Sequence, residues 1–246
     1  MNVSNEVLAV LSRAGVSGSK VMLPEQLERS LYTKVDKVLQ SAGGKWNRKA
    51  VAHVFEGDAE QRMEEIILTG KVEVSKDEFN YFPTPASIVS KLMSIANLKS
   101  GMLCLEPSAG QGAIAKAMRD AATTVKCVEL MPVNANHLLD MKFDTTECDF
   151  LSLPSEQLFD RIVMNPPFLK QSDIKHVNHA LTFLKPDGLL VAVMSAGVLF
   201  RENRLTTEFR DLVYARGGRF EELPNGSFKE SGTMVNTVIA VINGAG

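Results

Sequence analysis

The run Phe159-Asp160-Arg161-Ile162-Val163-Met164 is largely apolar and β-prone, and it meets Asn165-Pro166-Pro167-Phe168. Proline has no backbone N–H and a fixed φ, so neither Pro166 nor Pro167 continues a sheet ladder. The strand must end there, and the groups that follow are held rigidly at the sheet's carboxyl edge. In an open α/β sheet that edge is where ligands bind. An Asn side chain, a proline carbonyl and an aromatic face together grip a planar group carrying –NH2. Adenine is one such group and a primary amide is another.

The surrounding pattern says what kind of sheet this is. Helices are expected over 85–95, 111–122, 132–141, 173–184 and 204–216, and strands over 102–106, 124–129, 145–149, 159–164, 189–195, 219–223 and 235–242. Thr84 reads as the cap of the first of these helices, with Pro85 in its first turn. Lys185-Pro186-Asp187-Gly188 reads as a turn, and Gly217-Gly218 ends the last helix. Such alternation predicts a mostly parallel sheet covered on both faces. The closing two strands are joined without a helix, which predicts an antiparallel edge hairpin.

The first 79 residues read differently. Helices are expected over 7–14, 25–40 and 59–68, a Gly-containing turn over 41–47 and a strand over 50–55. The chain therefore divides into a small α-rich element, 1–79, and a larger domain, 80–246.

With 246 residues, 45% apolar and 23% charged, the chain has an ordinary globular composition. A net charge of −2 argues against indiscriminate coating of nucleic acid and leaves room for a local basic groove. Cys104, Cys127 and Cys148 are widely spaced in apolar surroundings and are read as buried free thiols. His53, His137, His176 and His179 form no convincing metal-ligand set, and His176 with His179 is read as a solvated helix face; no metal is expected. There is no basic-then-apolar export signal and no run long enough for a membrane span, so a reducing cytoplasm is the expected location.

Three successive strands end in an acid. Glu106 precedes Pro107-Ser108-Ala109-Gly110-Gln111-Gly112, a turn in which Gly110 and Gly112 let a ligand approach the backbone. A carboxylate at that point repels phosphate and attracts an ammonium or sulfonium group. Glu129 follows the glycines by about 20 residues, the spacing at which a carboxylate accepts from a ribose diol. Asp149-Phe150 offers an acceptor for an adenine amine beside an apolar wall. Each acid alone could simply cap the next helix, but three in register, followed by Asn-Pro-Pro-Phe, point to one site.

With Tyr81-Phe82-Pro83-Thr84-Pro85 in front, these segments resemble S-adenosylmethionine-dependent DNA adenine methyltransferases, with a gamma-like order, over roughly 80–242. The looser likeness is to the phage and plasmid type. The resemblance implies a class I, Rossmann-like fold and a cofactor site built from Tyr81, Thr84, Glu106, Pro107, Ser108, Ala109, Gly110, Gly112, Glu129, Leu130, Met131, Asp149, Phe150 and Asn165. Within it Thr84 would lie near the methionine carboxylate, with Glu106 and Gly110 at the amino-acid end. Glu129 would hold the ribose, Leu130 or Met131 and Phe150 would pack on the adenine, and Asp149 would accept from its amine. Asn165, Pro166, Pro167 and Phe168 would be catalytic, with Phe168 also stacking on the target ring.

The same resemblance puts Phe228 on the other face of the base, with Lys229 beside it as a phosphate contact. Lys45, Trp46, Arg48 and Lys49 interleave cations with the only Trp, which suits a nucleic-acid backbone and its bases. DNA is the expected partner, its strandedness and the oligomeric state left open. No large recognition segment follows the last strand, so weak or short sequence specificity is expected, whether the setting is restriction-modification or another. Two alternatives stand beside this reading: methylation of RNA adenine or of a protein glutamine, and a non-catalytic regulatory or anti-restriction protein on the same scaffold.

Overall fold

A computed structural model of the chain describes residues 2–24, 26–55, 58–72, 83–156, 158–231 and 233–245. It divides into two compact units, Met1–Asp77 with Ala196–Thr207, and Glu78–Ser195 with Glu208–Gly246. The segment 196–207, expected in the second domain, thus belongs to the first unit.

The first unit opens with α1 (Asn5–Arg13), which buries Val7, Leu8, Val10 and Leu11, a spacing of three and four that puts them on one face. The hairpin of β1 (Gly15–Ser17) and β2 (Lys20–Met22) follows, then α2 (Arg29–Ser41), β3 (Lys45–Asn47), β4 (Ala52–Val54) and α3 (Ala59–Thr69). The four strands pair antiparallel in the order β1-β2-β4-β3. Asp58 caps α3 by accepting from the backbone N–H groups of Glu60 and Gln61, and Gly70 ends it in the left-handed region. Val21, Val35, Leu39, Met63 and Ile66 share the core with α1, and Phe200 packs against it. Arg201 is 5% exposed and donates to Glu64 at 3.0 Å, so it forms an internal ion pair.

This unit is rich in helix, as expected, and adds a small four-stranded sheet of which the sequence announces one strand. Its strands are three residues each, too short for a period of two to register. The segment expected to be a turn over 41–47 contains β3, an edge strand.

In the second unit, α4 (Ala86–Ala96), β5 (Leu103–Glu106), α5 (Ala113–Asp120), β6 (Thr124–Glu129), α6 (Pro132–Asp140) and β7 (Asp144–Glu147) precede β8 (Phe159–Met164). Then come α7 (Ser172–Ala180), β9 (Leu184–Ser195), β10 (Arg219–Glu222) and β11 (Thr237–Asn243). Among the described residues these form one seven-stranded sheet in the order β10-β11-β9-β8-β5-β6-β7. Strands β5 to β9 pair in parallel, and β11 runs antiparallel to both its neighbours. Ile162, Val163 and Met164 of β8 and 190–194 of β9 are all 0% exposed, as befits strands covered on both faces. The turn expected at 185–188 is absorbed into β9, where the pairing with β8 slips between Phe159 and Arg161.

The chain winds outward from β5 to β7 and then returns to β8 on β5's other side. The strand order reverses between β5 and β8, and that switch point opens the crevice in which such sheets bind ligands.

Candidate active site

A cavity of about 200 Å³ lies at the carboxyl ends of β5, β6 and β8. Its lining includes Glu106, Pro107, Ser108, Ala109 and Gly110 after β5, Glu129, Leu130 and Met131 after β6, and Asp149 and Phe150 after β7. Thr84 and the whole of Asn165-Pro166-Pro167-Phe168 complete it. Tyr81 lies outside the described residues.

Glu129 is 7% exposed, and both its oxygens are already in use. Gly110 N–H donates to Oε2 at 2.7 Å and Met131 N–H donates to Oε1 at 2.8 Å. One carboxylate therefore pins the loop after β5 to the start of the loop after β6. Each oxygen keeps a further lone pair, so the pair still suits a vicinal diol. Gly110, at φ 53°, bends the chain toward this carboxylate. Gly112 does not line the cavity. It caps α5 at φ 80°, and a Cβ there would meet Leu138 Cδ2 at 2.8 Å, so this glycine serves the turn and packing against α6.

Glu106 is in a different state. It is 2% exposed, and its Oε2 has no hydrogen-bond partner. Burial, with the nearby Glu129 charge adding to it, pushes its carboxyl well above the usual range of about 4.5, against a backbone hydrogen bond from Ala115. A buried carboxyl with an idle oxygen fits a cationic ligand group, and an ammonium would supply both the charge and the donor.

Asp149 is exposed. Its Oδ1 accepts from Leu151 N–H at 2.9 Å and so caps a short 3-10 turn, leaving Oδ2 and spare lone pairs toward a ligand amine. Phe150 forms the apolar wall. His179 meets its ring edge-on at 4.8 Å between centroids, and the His176 ring lies 6.1 Å away.

Ala113, Cys148 and His176 line the cavity without having been expected there. His176 is 8% exposed and half-buried His179 packs on Phe150, which corrects the reading of a solvated helix face. The buried stripe of α7 is Asp173, Ile174, His176, Val177 and Ala180, and that helical period is the signal that would have placed His176 inward. His176 Nδ1 lies 2.8 Å from the Ser172 carbonyl, so Nδ1 carries the proton and Nε2 is left as an acceptor. Burial lowers the pKa of this imidazole, which favours its neutral form. Cys148 is only half-buried, unlike Cys104 and Cys127.

At the end of β8, Asn165 Nδ2 donates to Thr84 Oγ1 at 3.1 Å, and Asn165 Oδ1 is buried with no partner. Thr84 is not the helix cap expected: Pro85 occupies that position, without a side-chain cap. Beyond Phe168, Lys170 and Gln171 both adopt positive φ, at 54° and 58°. Left-handed backbone costs a non-glycine residue roughly 1–2 kcal/mol. Just beyond, buried Asp173 ties the start of α7 to the sheet: its oxygens accept from Ile174 N–H and, at 3.0 Å, from Ser195 N–H at the end of β9.

Phe228 is 1% exposed and does not line the cavity, so in this conformation it is a core residue and not an aromatic face open to a base. Lys229 beside it is exposed. In the first unit, Lys45, Trp46, Arg48 and Lys49 are all exposed, Trp46 by 43%. Trp46 sits on edge strand β3, its ring 5.1 Å from buried His53. Among the described residues, no group of three or more His, Cys, Asp or Glu is placed to hold a metal ion, and no helix is long and apolar enough to cross a membrane.

A model of the methyltransferase small domain matches residues 96–221, half of the chain. The chain belongs to the methyltransferase small domain family. Its cofactor is S-adenosylmethionine, and the idle Glu106 oxygen, the Glu129 carboxylate and the Gly110 turn fit that molecule's ammonium and ribose. A search of curated protein sequences found no match. Among solved structures, a Pyrococcus horikoshii protein assigned as an RNA methyltransferase superposes with TM-score 0.52 at 17% identity, over 75% of this chain and 98% of that one. The 23S rRNA methyltransferase ErmE gives 0.50 at 20% identity, over 67% and 69%. A dimethyladenosine transferase from Plasmodium falciparum gives 0.51 at 16% identity, over 66% and 63%. At these identities the likeness is one of fold. The family is thus coarser than the DNA adenine methyltransferases that the sequence resembles.

Proposed function

We propose that the protein methylates the exocyclic amine of adenine in DNA. The observation that carries this reading is Asn165 in the lining of the cofactor cavity, its Nδ2 bonded to Thr84 Oγ1 and its Oδ1 left without a partner. S-adenosylmethionine supplies an electrophilic methyl on sulfonium. The chain's own groups make the amine ready to receive it. An adenine amine is a poor nucleophile because its lone pair is delocalised into the ring. Asn165 Oδ1 and the Pro166 carbonyl accept its two N–H groups and draw the nitrogen out of plane. Both acceptors are fixed before the reaction, so they stabilise the positive charge that grows on nitrogen at no reorganisation cost. Phe168 packs on the ring, and Pro166 and Pro167 keep the acceptors from drifting. The proton leaves to water after transfer, so no strong base is required. A base inside a duplex cannot reach these groups and has to be turned outward.

Lys45, Trp46, Arg48 and Lys49 support a polymer substrate: β3 and the turn after it offer exposed cations and a partly exposed indole, which suits phosphates and a stacked base. RNA is the second reading, favoured by the names of two fold neighbours, the 23S rRNA methyltransferase ErmE and the Pyrococcus horikoshii protein assigned as an RNA methyltransferase. Incubation with radiolabelled cofactor and duplex DNA, single-stranded DNA, RNA or protein, followed by nucleoside and amino-acid analysis, tests the choice. N6-methyladenine in DNA is the expected product. Label found only in RNA or in glutamine would overturn the DNA reading.

A further inference from the structure

An asparagine amide has two unlike ends, and only the oxygen end can accept from an amine. In this site Thr84 Oγ1 takes the nitrogen end at 3.1 Å, so the oxygen end is the one left without a partner. With the amide reversed, two N–H donors would face the two N–H donors of the target. Thr84 is itself firmly placed. It precedes Pro85, whose ring holds the Thr84 backbone out of the helical region, it follows Pro83, whose own φ is fixed, and Pro85 is the N-cap of α4. The Pro83 carbonyl accepts from Ser231 Oγ at 2.6 Å. Ser231 belongs to the loop that joins β10 and β11 and also carries Phe228 and Lys229.

We infer that Thr84 is a positioning residue that sets which end of the Asn165 amide meets the substrate, and that the β10–β11 loop bears on that amide through Ser231 and Pro83. The inference rests on amine methylation at Asn165. It is distinct from the role the sequence suggests for Thr84: the hydroxyl accepts from Asn165 with a lone pair and keeps its own O–H to donate, so a contact with the cofactor's carboxylate would show separately, in cofactor affinity.

Three variants separate the possibilities. Thr84→Val keeps the shape and removes the hydroxyl; Thr84→Ser keeps the hydroxyl; Ser231→Ala releases Pro83. Single-turnover methyl transfer is read beside cofactor affinity by calorimetry. Thr84→Val is expected to slow transfer roughly 10- to 100-fold, the scale of a misplaced catalytic group. Cofactor affinity stays within about twofold, Thr84→Ser restores most of the rate, and Ser231→Ala gives a smaller loss that does not add to that of Thr84→Val. A second readout needs no turnover: the side-chain amide protons of Asn165, followed by nitrogen-15 NMR. Protection from exchange is expected in the wild type and in Thr84→Ser, and is lost in Thr84→Val. The inference is overturned by an unchanged rate in Thr84→Val, by a loss confined to cofactor affinity, by a Thr84→Ser variant as slow as Thr84→Val, or by unprotected amide protons in the wild type. Absence of transfer to any polymer by the wild type, with the amide protons protected, would instead remove the functional reading and leave the hydrogen bond standing.

Discussion

The two units of this chain carry their polar chemistry in opposite ways. In the second, the reactive groups are enclosed: Glu106 and Glu129 are 2% and 7% exposed, and Asn165 Oδ1 is buried. In the first, Arg201 is paired with Glu64 in the interior and His53 Nε2 with half-buried Asp36, His53 Nδ1 being buried without a partner, while the cations and the indole around β3 stand on the surface. A buried group without a partner costs free energy unless a ligand completes it; Glu106 and Asn165 are such groups and also line the cavity, which His53 does not, and that combination marks a place for a small molecule. Exposed cations beside an exposed indole cost little and suit an extended polyanion that covers many residues at once. On the proposed function, the second unit is the pocket for chemistry and the first the surface that would meet a polymer. Substitutions in the second should change turnover or cofactor uptake, and substitutions on β3 should change only polymer binding.

The largest effect expected is on turnover. Asn165→Ala removes one of two acceptors for the amine and leaves the Glu106 and Glu129 side unchanged. Transfer should fall by roughly 10²–10³-fold, the loss seen when one preorganised group is removed. Cofactor affinity, read by calorimetry, should stay near that of the wild type. Near-normal turnover in this variant would break the division of labour within the second unit, and with it the assignment of the reacting site.

How far this was readable without coordinates follows the same division. The strand ends carrying Glu106 and Glu129 stand out because parallel strands covered on both faces are apolar runs, and a polar residue at their ends is conspicuous; β7 is a polar edge strand, and Asp149, two residues past its end, is legible only through the register with the other two acids. β6 occupies Thr124–Glu129, the span its sequence predicts. His176 was hidden because one imidazole inside a helix has no such contrast, and only the stripe through Ile174 and Val177 shows which way it faces. Thr84 reads like a helix cap because Thr before Pro usually is one, and its bond to Asn165 spans 81 residues, beyond any local pattern. The first unit was least legible. Its sheet rests on three-residue strands, and Gly44 is fixed by its closeness to a residue well along the chain: a Cβ there would meet the Phe55 ring at 2.6 Å. Arg201 shows the same limit, since nothing near it in sequence announces Glu64.

The next effect in size concerns the idle carboxyl. Glu106→Gln keeps the shape and removes the charge, so it should weaken cofactor binding by roughly 10- to 100-fold, the worth of a charge-assisted hydrogen bond. The pH dependence has a definite sign. Burial raises the Glu106 pKa above about 4.5, and a cationic group needs the carboxylate form. Wild-type affinity should therefore rise with pH, by up to about tenfold per unit, until pH passes the raised pKa; the Gln variant should lose that component. The unliganded protein behaves in the opposite sense. The folded state holds the proton more tightly than the unfolded chain, so Glu106 makes stability fall as pH rises from about 4.5 through the raised value. Free Glu106→Gln protein should melt above the wild type at neutral pH, and the gap should close in acid. A variant that binds cofactor as well as the wild type at every pH would show that the ammonium is held elsewhere.

The smallest effect tests the other half of the comparison. Lys45, Arg48 and Lys49 are exposed around β3, so on the proposed reading each would act through screened attraction to phosphate. Changing all three to Ala should weaken DNA binding by roughly tenfold at moderate salt, and should flatten the slope of log affinity against log salt by about 0.9 for each phosphate no longer neutralised. Cofactor affinity should be unaltered, because none of the three lines the cavity. Trp46→Ala separates stacking from charge: affinity should fall while the salt slope stays, since an indole releases no counterions. The two slopes carry the argument, because misfolding of so small a unit would lower affinity in both proteins without leaving one slope intact. Equal slopes in the wild type and the triple variant would mean that these three cations take no part in holding the polymer, and that whatever does so is part of the second unit.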